Sequence, residues 1–323
     1  MPKPDDAGLS GTRYVGIDVG GTKALGVAID ADGHLLDEQA RPTPRGDDSL
    51  EPLIDTLAEL AEALGASAAV GVGVPGLVNR EGVLQAAPNL DGVAHFEVAS
   101  RLRARLGDRV GRIDVDNDAT CATVAEWKLG AGSGTSDMAL VTLGTGIGGG
   151  LVANGAVVRG RNGFAGEYGH MVVDPDGPRC PCGRRGCWER YASGSGLAML
   201  AREAATARRC AAVVELAGGD PQDVRGEHVQ SAARSGDVEA LAVIDEFGRW
   251  VALGLSNLTN ALDPEMFVLG GGLASGADLY LEPIVTWFTE LLYQPHLRPI
   301  PRVEFAHWGP RAGAVGAALL STI

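Results

Sequence analysis

One short stretch gathers most of the chain's metal-ligating side chains. Glu167-Tyr168-Gly169-His170 is followed, ten residues on, by Cys180-Pro181-Cys182-Gly183-Arg184-Arg185-Gly186-Cys187-Trp188-Glu189, so three of the five cysteines fall within one loop. Three thiolates and one imidazole make a closed tetrahedral shell, the preference of structural zinc. Gly183 and Gly186 allow a tight loop that turns its sulfurs inward, and Pro178 and Pro181 stiffen it. Buried free thiols beside an unrelated histidine would not account for clustering at ligand spacing. His170, Cys180, Cys182 and Cys187 are therefore the expected zinc ligands. Glu167 and Glu189 flank the knot, so the metal would hold two carboxylates in place as hydrogen-bond acceptors.

A second group of residues could handle phosphate. Asp18 precedes a Gly20-Gly21-Thr22 turn and Lys23, and a similar turn occurs at Gly144-Thr145-Gly146 within a glycine run to Gly150. Such turns can aim backbone N–H groups outward as a nest for phosphate oxygens. A plain hairpin with a surface lysine explains the first turn alone equally well; its recurrence favours the phosphate reading. The second turn matches Gly-x-Gly-x-x-Gly, but a dinucleotide fingerprint needs a helix next. Leu151–Val158, with Asn154-Gly155 in the middle, reads as a hairpin instead, so a second phosphate clamp is expected. Gly270-Gly271-Gly272 follows a buried strand, where bare backbone can approach an adenine or simply turn. Asp116-Asn117-Asp118 ends a strand and opens a helix, at the carboxyl edge where open α/β sheets bind ligands. Helix capping accounts for one of these residues but does not need a second Asp in the first turn.

The elements that must carry these groups read as two similar halves. Tyr14–Val19, Ala24–Ile29 and His34–Ala40 form a meander with Asp32-Gly33 at its second turn. Arg41–Asp48 reads as a Pro-rich loop, and Asp48 with Glu51 offers a capping box. Leu50, Leu53, Ile54, Leu57, Leu60, Ala61 and Leu64 then mark one face of a helix. Ala69–Val74 is a continuously apolar strand ending at Pro75-Gly76. Val98, Leu102 and Leu106 mark another helix, Arg112–Val115 a strand, and Asn117–Leu129 a helix closed by Gly130. The plan then repeats, with a strand at Met138–Leu143, the Gly144–Gly150 turn, and strands at Leu151–Ala153 and Ala156–Val158. Helices follow at about Asp237–Leu262 and Ala277–Leu292, with the strand Met266–Leu269 between them and a final helix from about Arg311. An internal duplication enclosing one nucleotide-binding cleft is the economical reading.

Composition sets the outer limits. The chain has 323 residues, 45% hydrophobic and 21% charged, which suits two globular domains. A net charge of −14 argues against nucleic acid or an anionic membrane surface as the main partner. No apolar run is long enough to span a bilayer, Met1–Asp6 begins no signal peptide, and isolated Cys121 and Cys210 indicate no disulfide framework. A cytoplasmic location is expected.

Asp18-x-Gly-Gly-Thr-Lys, Glu167-x-Gly-His170 and Cys-x-Cys-Gly-x-x-Gly-Cys-x-Glu189 together resemble the ROK family of bacterial sugar kinases, in particular its glucokinase branch. The resemblance runs from about Arg13 to the C-terminus. It implies two actin-like (ribonuclease H-like) α/β domains around a hinged cleft, with a zinc-bearing loop inserted in the larger domain. Residues 1–131 would form the small domain, to which a C-terminal helix at about 311–323 returns. Residues 132–310 would form the large domain, with the zinc loop at 170–189. The implied activity is transfer of the γ-phosphate of ATP, with Mg²⁺, to the 6-hydroxyl of glucose. Asp118 would take the proton from the attacking hydroxyl. Asn89, Asn117, Asp118, Glu167, His170 and Glu189 would hold the sugar, with His170 ligating zinc through one nitrogen and facing a hydroxyl with the other. Asp18 would hold the Mg²⁺ water shell. Gly20, Gly21, Thr22, Lys23, Gly144, Thr145 and Gly146 would clamp phosphates, and Gly270, Gly271 and Gly272 would meet the adenine. Related chains act on fructose, mannose or N-acetylated amino sugars, use polyphosphate, or are sugar-responsive repressors. The repressors carry an N-terminal helix-turn-helix, so a first strand expected near Tyr14 disfavours that reading, and polyphosphate needs a basic groove that an acidic chain does not advertise. The long apolar helices point to a homodimer or homotetramer.

Overall fold

The computed structural model describes residues 13–46, 49–87 and 93–323. Asp48 and Asn89, named above as a cap and a sugar contact, lie outside the described residues. The chain divides into two compact units, one running up to Ala125 and resuming at Gly313–Ile323, the other Glu126–Ala312. No helix among the described residues is long and apolar enough to cross a membrane.

The first unit is built on β1 (Tyr14–Val19), β2 (Lys23–Ile29), β3 (Leu35–Pro42) and β4 (Ala69–Val74), with β5 (Leu77–Val78) and β6 (Leu84–Ala86) as a separate small hairpin and β7 (Arg112–Asn117) at the far edge. Helix α1 (Leu50–Ala63) buries Leu53, Ile54, Leu57, Leu60 and Ala61, and α2 (Val98–Leu106) buries Val98, Leu102 and Leu106, as their spacing predicts. Ser49 stands at the first cap position and makes no side-chain capping bond. Helix α3 (Asp118–Leu129) leads out of this sheet into the second unit. The sheet order is β3-β2-β1-β4-β7, with β1–β2–β3 antiparallel and β1, β4 and β7 parallel.

The second unit repeats this plan with β8 (Met138–Leu143), β9 (Ile147–Ala153), β10 (Ala156–Val157), β11 (Met266–Gly270) and β12 (Arg302–Phe305), in the order β10-β9-β8-β11-β12. Again the first three strands are antiparallel and the rest join in parallel. The duplicated strand order agrees with the two meanders seen in the sequence. Between the meander and β11 lie α4 (Glu189–Ala192), α5 (Gly194–Thr206), α6 (Ala211–Leu216), α7 (Gly226–Arg234) and α8 (Val238–Leu262); α9 (Ala277–Leu291) and α10 (Ala312–Leu319) follow.

Three local expectations change. Strand β3 continues to Pro42, into what composition marks as a loop, because Pro42 at its end gives up only one ladder donor. The glycine run belongs mostly to β9, which starts at Ile147, so the turn is only Gly144–Gly146. Gly149 of this strand, and Gly166 beyond it, leave no room for a side chain. A Cβ on Gly149 would stand 2.3 Å from Tyr168 Cδ2, and one on Gly166 would stand 2.3 Å from Gly149 O. β12 and α5–α7 are not among the elements read from the sequence, although α7 buries Val229, Ala232 and Ala233 at helical spacing.

Helix α10 returns its small residues to the first sheet. A Cβ on Gly16 would lie 2.0 Å from Ala314 O, and one on Gly71 would lie 1.8 Å from Ala317 O, so this helix packs with backbone against backbone. In the second unit the fully buried Glu126 has its carboxylate satisfied by backbone amide donors. Its carboxylate accepts from Ala131 N (3.0 Å), His307 N (3.0 Å) and Trp308 N (2.7 Å), which ties the segment after the first crossing to the segment before the return.

Candidate active site

Each flank of the cysteine loop is fixed by packing. Trp188 is fully buried, donates from Nε1 to Trp250 O at 2.7 Å, and lies on Gly254, where a Cβ would stand 1.9 Å from its ring. Tyr191 stacks on Trp250 at 4.0 Å and donates its hydroxyl to Asp174 Oδ2 at 2.7 Å. The loop itself turns through Cys180 N to Arg184 O (2.8 Å) and Gly183 N to Cys180 O (3.0 Å). Gly186 has φ +63° and leaves no room for a Cβ, which would lie 1.5 Å from Asp174 O.

This fold brings the four expected ligands together. One ligand atom each from His170, Cys180, Cys182 and Cys187 lies within 4.8 Å of all the others. Cys182 Sγ and Cys187 Sγ are 3.5 Å apart, and Cys180 Sγ is 3.9 Å from His170 Nδ1. Sulfurs at zinc-bond length in a tetrahedron stand about 3.8 Å apart, so the set fits the ion. The three thiols are inequivalent without it. Burial, then the Glu189 hydrogen bond, pushes Cys180 up, whereas the Arg184 backbone N–H pulls Cys182 down.

The flanking carboxylates stand against this knot. Glu189 Oε1 accepts from Cys180 Sγ at 3.0 Å and lies 3.6 Å from His170 Nδ1, while Glu167 Oε2 is 3.8 Å from His170 Nε2. His170 thus shows Nδ1 to the sulfurs and Nε2 outward, toward Glu167. Burial pushes Glu167 above the ordinary carboxylate range; the charge of Glu189 adds to this and His170 opposes it. On the other side, a Cβ on Gly146 would stand 2.6 Å from Glu189 Oε2, so the glycine turn and the acidic group touch.

That turn opens a cavity of about 1130 Å³, whose wall includes Gly144, Thr145, Arg190, Ser195, Gly272 and Leu273. Gly144 O accepts from Gly194 N (2.7 Å), and Thr145 O accepts from Ser195 Oγ (2.9 Å), which moors the turn to the start of α5. Of the glycines expected at the nucleotide, Gly144 and Gly272 line this cavity with Thr145; Gly146, Gly270 and Gly271 do not. Gly271 turns with φ +83°, and a Cβ there would lie 2.6 Å from Leu143 O, so both backbone and space require glycine. Arg202 of α5, Arg225 just before α7 and Gln230 of α7, all on the cavity wall, escape sequence reading because cavity walls follow no period.

In the first unit, the Gly20-Gly21-Thr22 turn and Lys23 lie at the tip of the β1–β2 hairpin. Gly20 N donates to Lys23 O (3.0 Å), so this N–H is not part of an outward nest; Thr43 Oγ1 holds Gly20 O (2.7 Å), and Arg45 donates to Gly21 O. Asn117 Oδ1 accepts from Thr120 N at 3.0 Å in the manner of a helix cap, and its amide bonds Gly76 O (3.1 Å) and Asp118 Oδ1 (3.0 Å). Asp118 Oδ1 also accepts from Ala119 N at 2.9 Å. Asp18, at the end of β1, is enclosed by Gly313, where a Cβ would come within 2.6 Å of its carboxyl carbon. Burial, with the charge of Asp118 added, raises its pKa from 3.8 to about 7.

The ROK family profile matches residues 14–322. The chain belongs to the ROK family. It is 37% identical over 310 residues to a glucokinase of Streptomyces coelicolor, covering 95% of this chain and 96% of that one. It is also 37% identical over 328 residues to an N-acetyl-D-glucosamine kinase of Pectobacterium atrosepticum, covering 95% and 98%. Among solved structures, a ROK family glucokinase from Streptomyces griseus in complex with glucose and AMPPNP has TM-score 0.83 and 36% identity over 95% of this chain and 98% of its own.

Two outcomes follow for this ROK chain. Purified protein should contain one zinc per chain by elemental analysis, and Cys182→Ser should lose both the metal and thermal stability, because metal binding and loop folding are one equilibrium. Separately, Asp18 is an acid whose folded pKa lies above its unfolded value, so its ionisation costs stability progressively from about pH 4 to 7 and fully above that. Asp18→Asn should therefore raise the melting temperature by a few degrees at pH 8 in magnesium-free buffer and leave it unchanged at pH 4. Equal shifts at both pH values would contradict this account.

Proposed function

We propose that the chain is an ATP-dependent glucokinase, moving the γ-phosphate of ATP to the 6-hydroxyl of glucose. The contact of Gly146 with Glu189 carries this reading. It sets a carboxylate suited to sugar hydroxyls against a turn suited to phosphate, the adjacency that phosphoryl transfer to an alcohol requires.

In this reading Asp118 takes the proton of the 6-hydroxyl as its oxygen bonds to the γ-phosphorus. The bond from that phosphorus to the β-bridging oxygen breaks, and ADP leaves with the electron pair. Asn117, held by Gly76 O and Thr120 N, keeps Asp118 Oδ1 turned toward the chain and contributes to sugar binding. Glu167, His170 and Glu189 receive the remaining hydroxyls, and Asn89 is assigned to the same task. Asp18 is a hard oxygen donor that suits Mg²⁺, which would neutralise charge on the β- and γ-phosphates. The turn residues Gly21, Thr22 and Lys23 and the turn at Gly144, Thr145 and Gly146 are assigned to the phosphates, and Gly270, Gly271 and Gly272 to the adenosine end. We assign the two halves of the duplication to a small domain of residues 1–131, completed by the C-terminal helix, and a large domain of 132–310. A cytoplasmic homodimer or homotetramer is the assembly we favour, since Val238, Leu241, Leu281 and Val285 leave apolar surface exposed along α8 and α9.

A second reading, an N-acetylglucosamine kinase, is favoured by the Pectobacterium relative. Initial rates with glucose, N-acetylglucosamine, mannose and fructose, each with ATP·Mg²⁺ and with polyphosphate at matched phosphate, decide both questions. Glucose with ATP should be fastest, and polyphosphate should support little turnover. A faster rate with an amino sugar or with polyphosphate would replace the proposed substrate. Asp118→Asn keeps the side chain's size but cannot accept a proton, so kcat should fall by roughly 10²–10⁴ while nucleotide affinity stays unchanged. Near-normal turnover would move the base to another residue.

A further inference from the structure

The cavity beside the Gly144–Gly146 turn contains three arginines, and two of them are already engaged. Arg202 Nε donates to Val224 O at 3.0 Å, and Arg225 pairs with Glu227 at 3.8 Å. Arg190 differs. Its Nε is buried and has no hydrogen-bond partner, and among the described residues no carboxylate pairs with its guanidinium. An unpaired cation with a desolvated N–H is costly, and the cost is relieved when an anion enters.

The surroundings of Arg190 favour phosphate as that anion. Gly144 and Thr145 on one side and Gly194 and Ser195 on the other share the cavity wall with it. Gly194 begins α5, a helix of 13 residues capped by Ser193, whose hydroxyl accepts from Gly196 N at 3.2 Å, so the positive end of this helix lies in the same wall. Arg190 also follows Glu189 directly in the short α4. Neighbours in a helix point about 100° apart, which lets Glu189 meet Cys180 and His170 while Arg190 reaches the cavity. One short turn behind the cysteine loop therefore presents an acceptor for hydroxyls and a donor for phosphates.

We propose that Arg190 is a phosphate-binding residue of the nucleotide site, contacting the polyphosphate of the donor and discriminating nucleotides by their phosphate charge. This rests on the nucleotide-donor reading of the cavity. Because Arg190 shares its helix with Glu189, the cysteine loop positions a donor-side group as well as an acceptor-side one.

The test is calorimetric binding of ATP, ADP and adenosine to zinc-loaded wild-type protein and to Arg190→Gln and Arg190→Lys. Zinc content and melting temperature serve as folding checks. Loss of a charge-assisted hydrogen bond should weaken ATP and ADP roughly ten- to a hundred-fold in Arg190→Gln. Adenosine affinity should change less than about twofold, and Arg190→Lys should recover part of the loss. The KM for ATP should rise while that for glucose stays constant. An equal loss for adenosine and ATP would make Arg190 a wall residue and overturn the proposal, as would unchanged ATP affinity in Arg190→Gln. Failure of the wild type to bind any nucleotide would instead remove the donor reading itself.

Discussion

The candidate site depends on the seat of one tryptophan. Trp188 is fully buried on Gly254 and bonded to Trp250 O, and it stands between Cys187 and Glu189. A buried indole with its N–H satisfied has a single orientation. The last cysteine, the acidic Glu189 and the cationic Arg190 are all within two residues of that anchor, so the packing of α8 sets their positions more than the loop's own conformation does. Gly254 makes this possible, since any side chain there would displace the ring.

Glu167 reaches the same place by a separate route. The glycines of β9 let Tyr168 and the backbone at Gly166 lie directly on the strand, which sets Glu167 and His170 at its edge. The two routes meet at the cysteine loop, where Trp188 N donates to Met171 O (2.8 Å), Val172 bridges to Cys187, and His170 faces the sulfurs and Glu189. A zinc ion shared by His170 and the three cysteines would thus join a group held by the sheet to a group held by α8. In the proposed reading, such a metal would brace the hydroxyl-binding carboxylates without touching the reacting atoms.

The duplication supplies two sheets of the same order, and each half uses its first hairpin turn differently. In the first half, Gly20 N closes back on Lys23 O, and Thr43 and Arg45 hold the turn from the side. In the second, the turn is moored to the start of α5 and opens onto a cavity. Divergence lies in the insertions, namely the cysteine loop and α5–α7, while the strand order is kept.

The amino-acid sequence by itself determined the pieces whose cause is local. The meanders, the apolar β4, the buried faces of α1 and α2 and the ligand set of the cysteine loop follow from period, turn chemistry and ligand spacing, and the family motifs followed from their order. Tertiary structure decided what local pattern does not encode. The glycine run reads as a turn because the chain alone does not show that Tyr168 will lie on it. Arg190 carries no signal in the sequence because a missing partner can be recognised only when the residues around it have been placed. The cavity likewise exists only once α5–α7 have folded around the Gly144–Gly146 turn, since its wall is assembled from residues far apart in sequence.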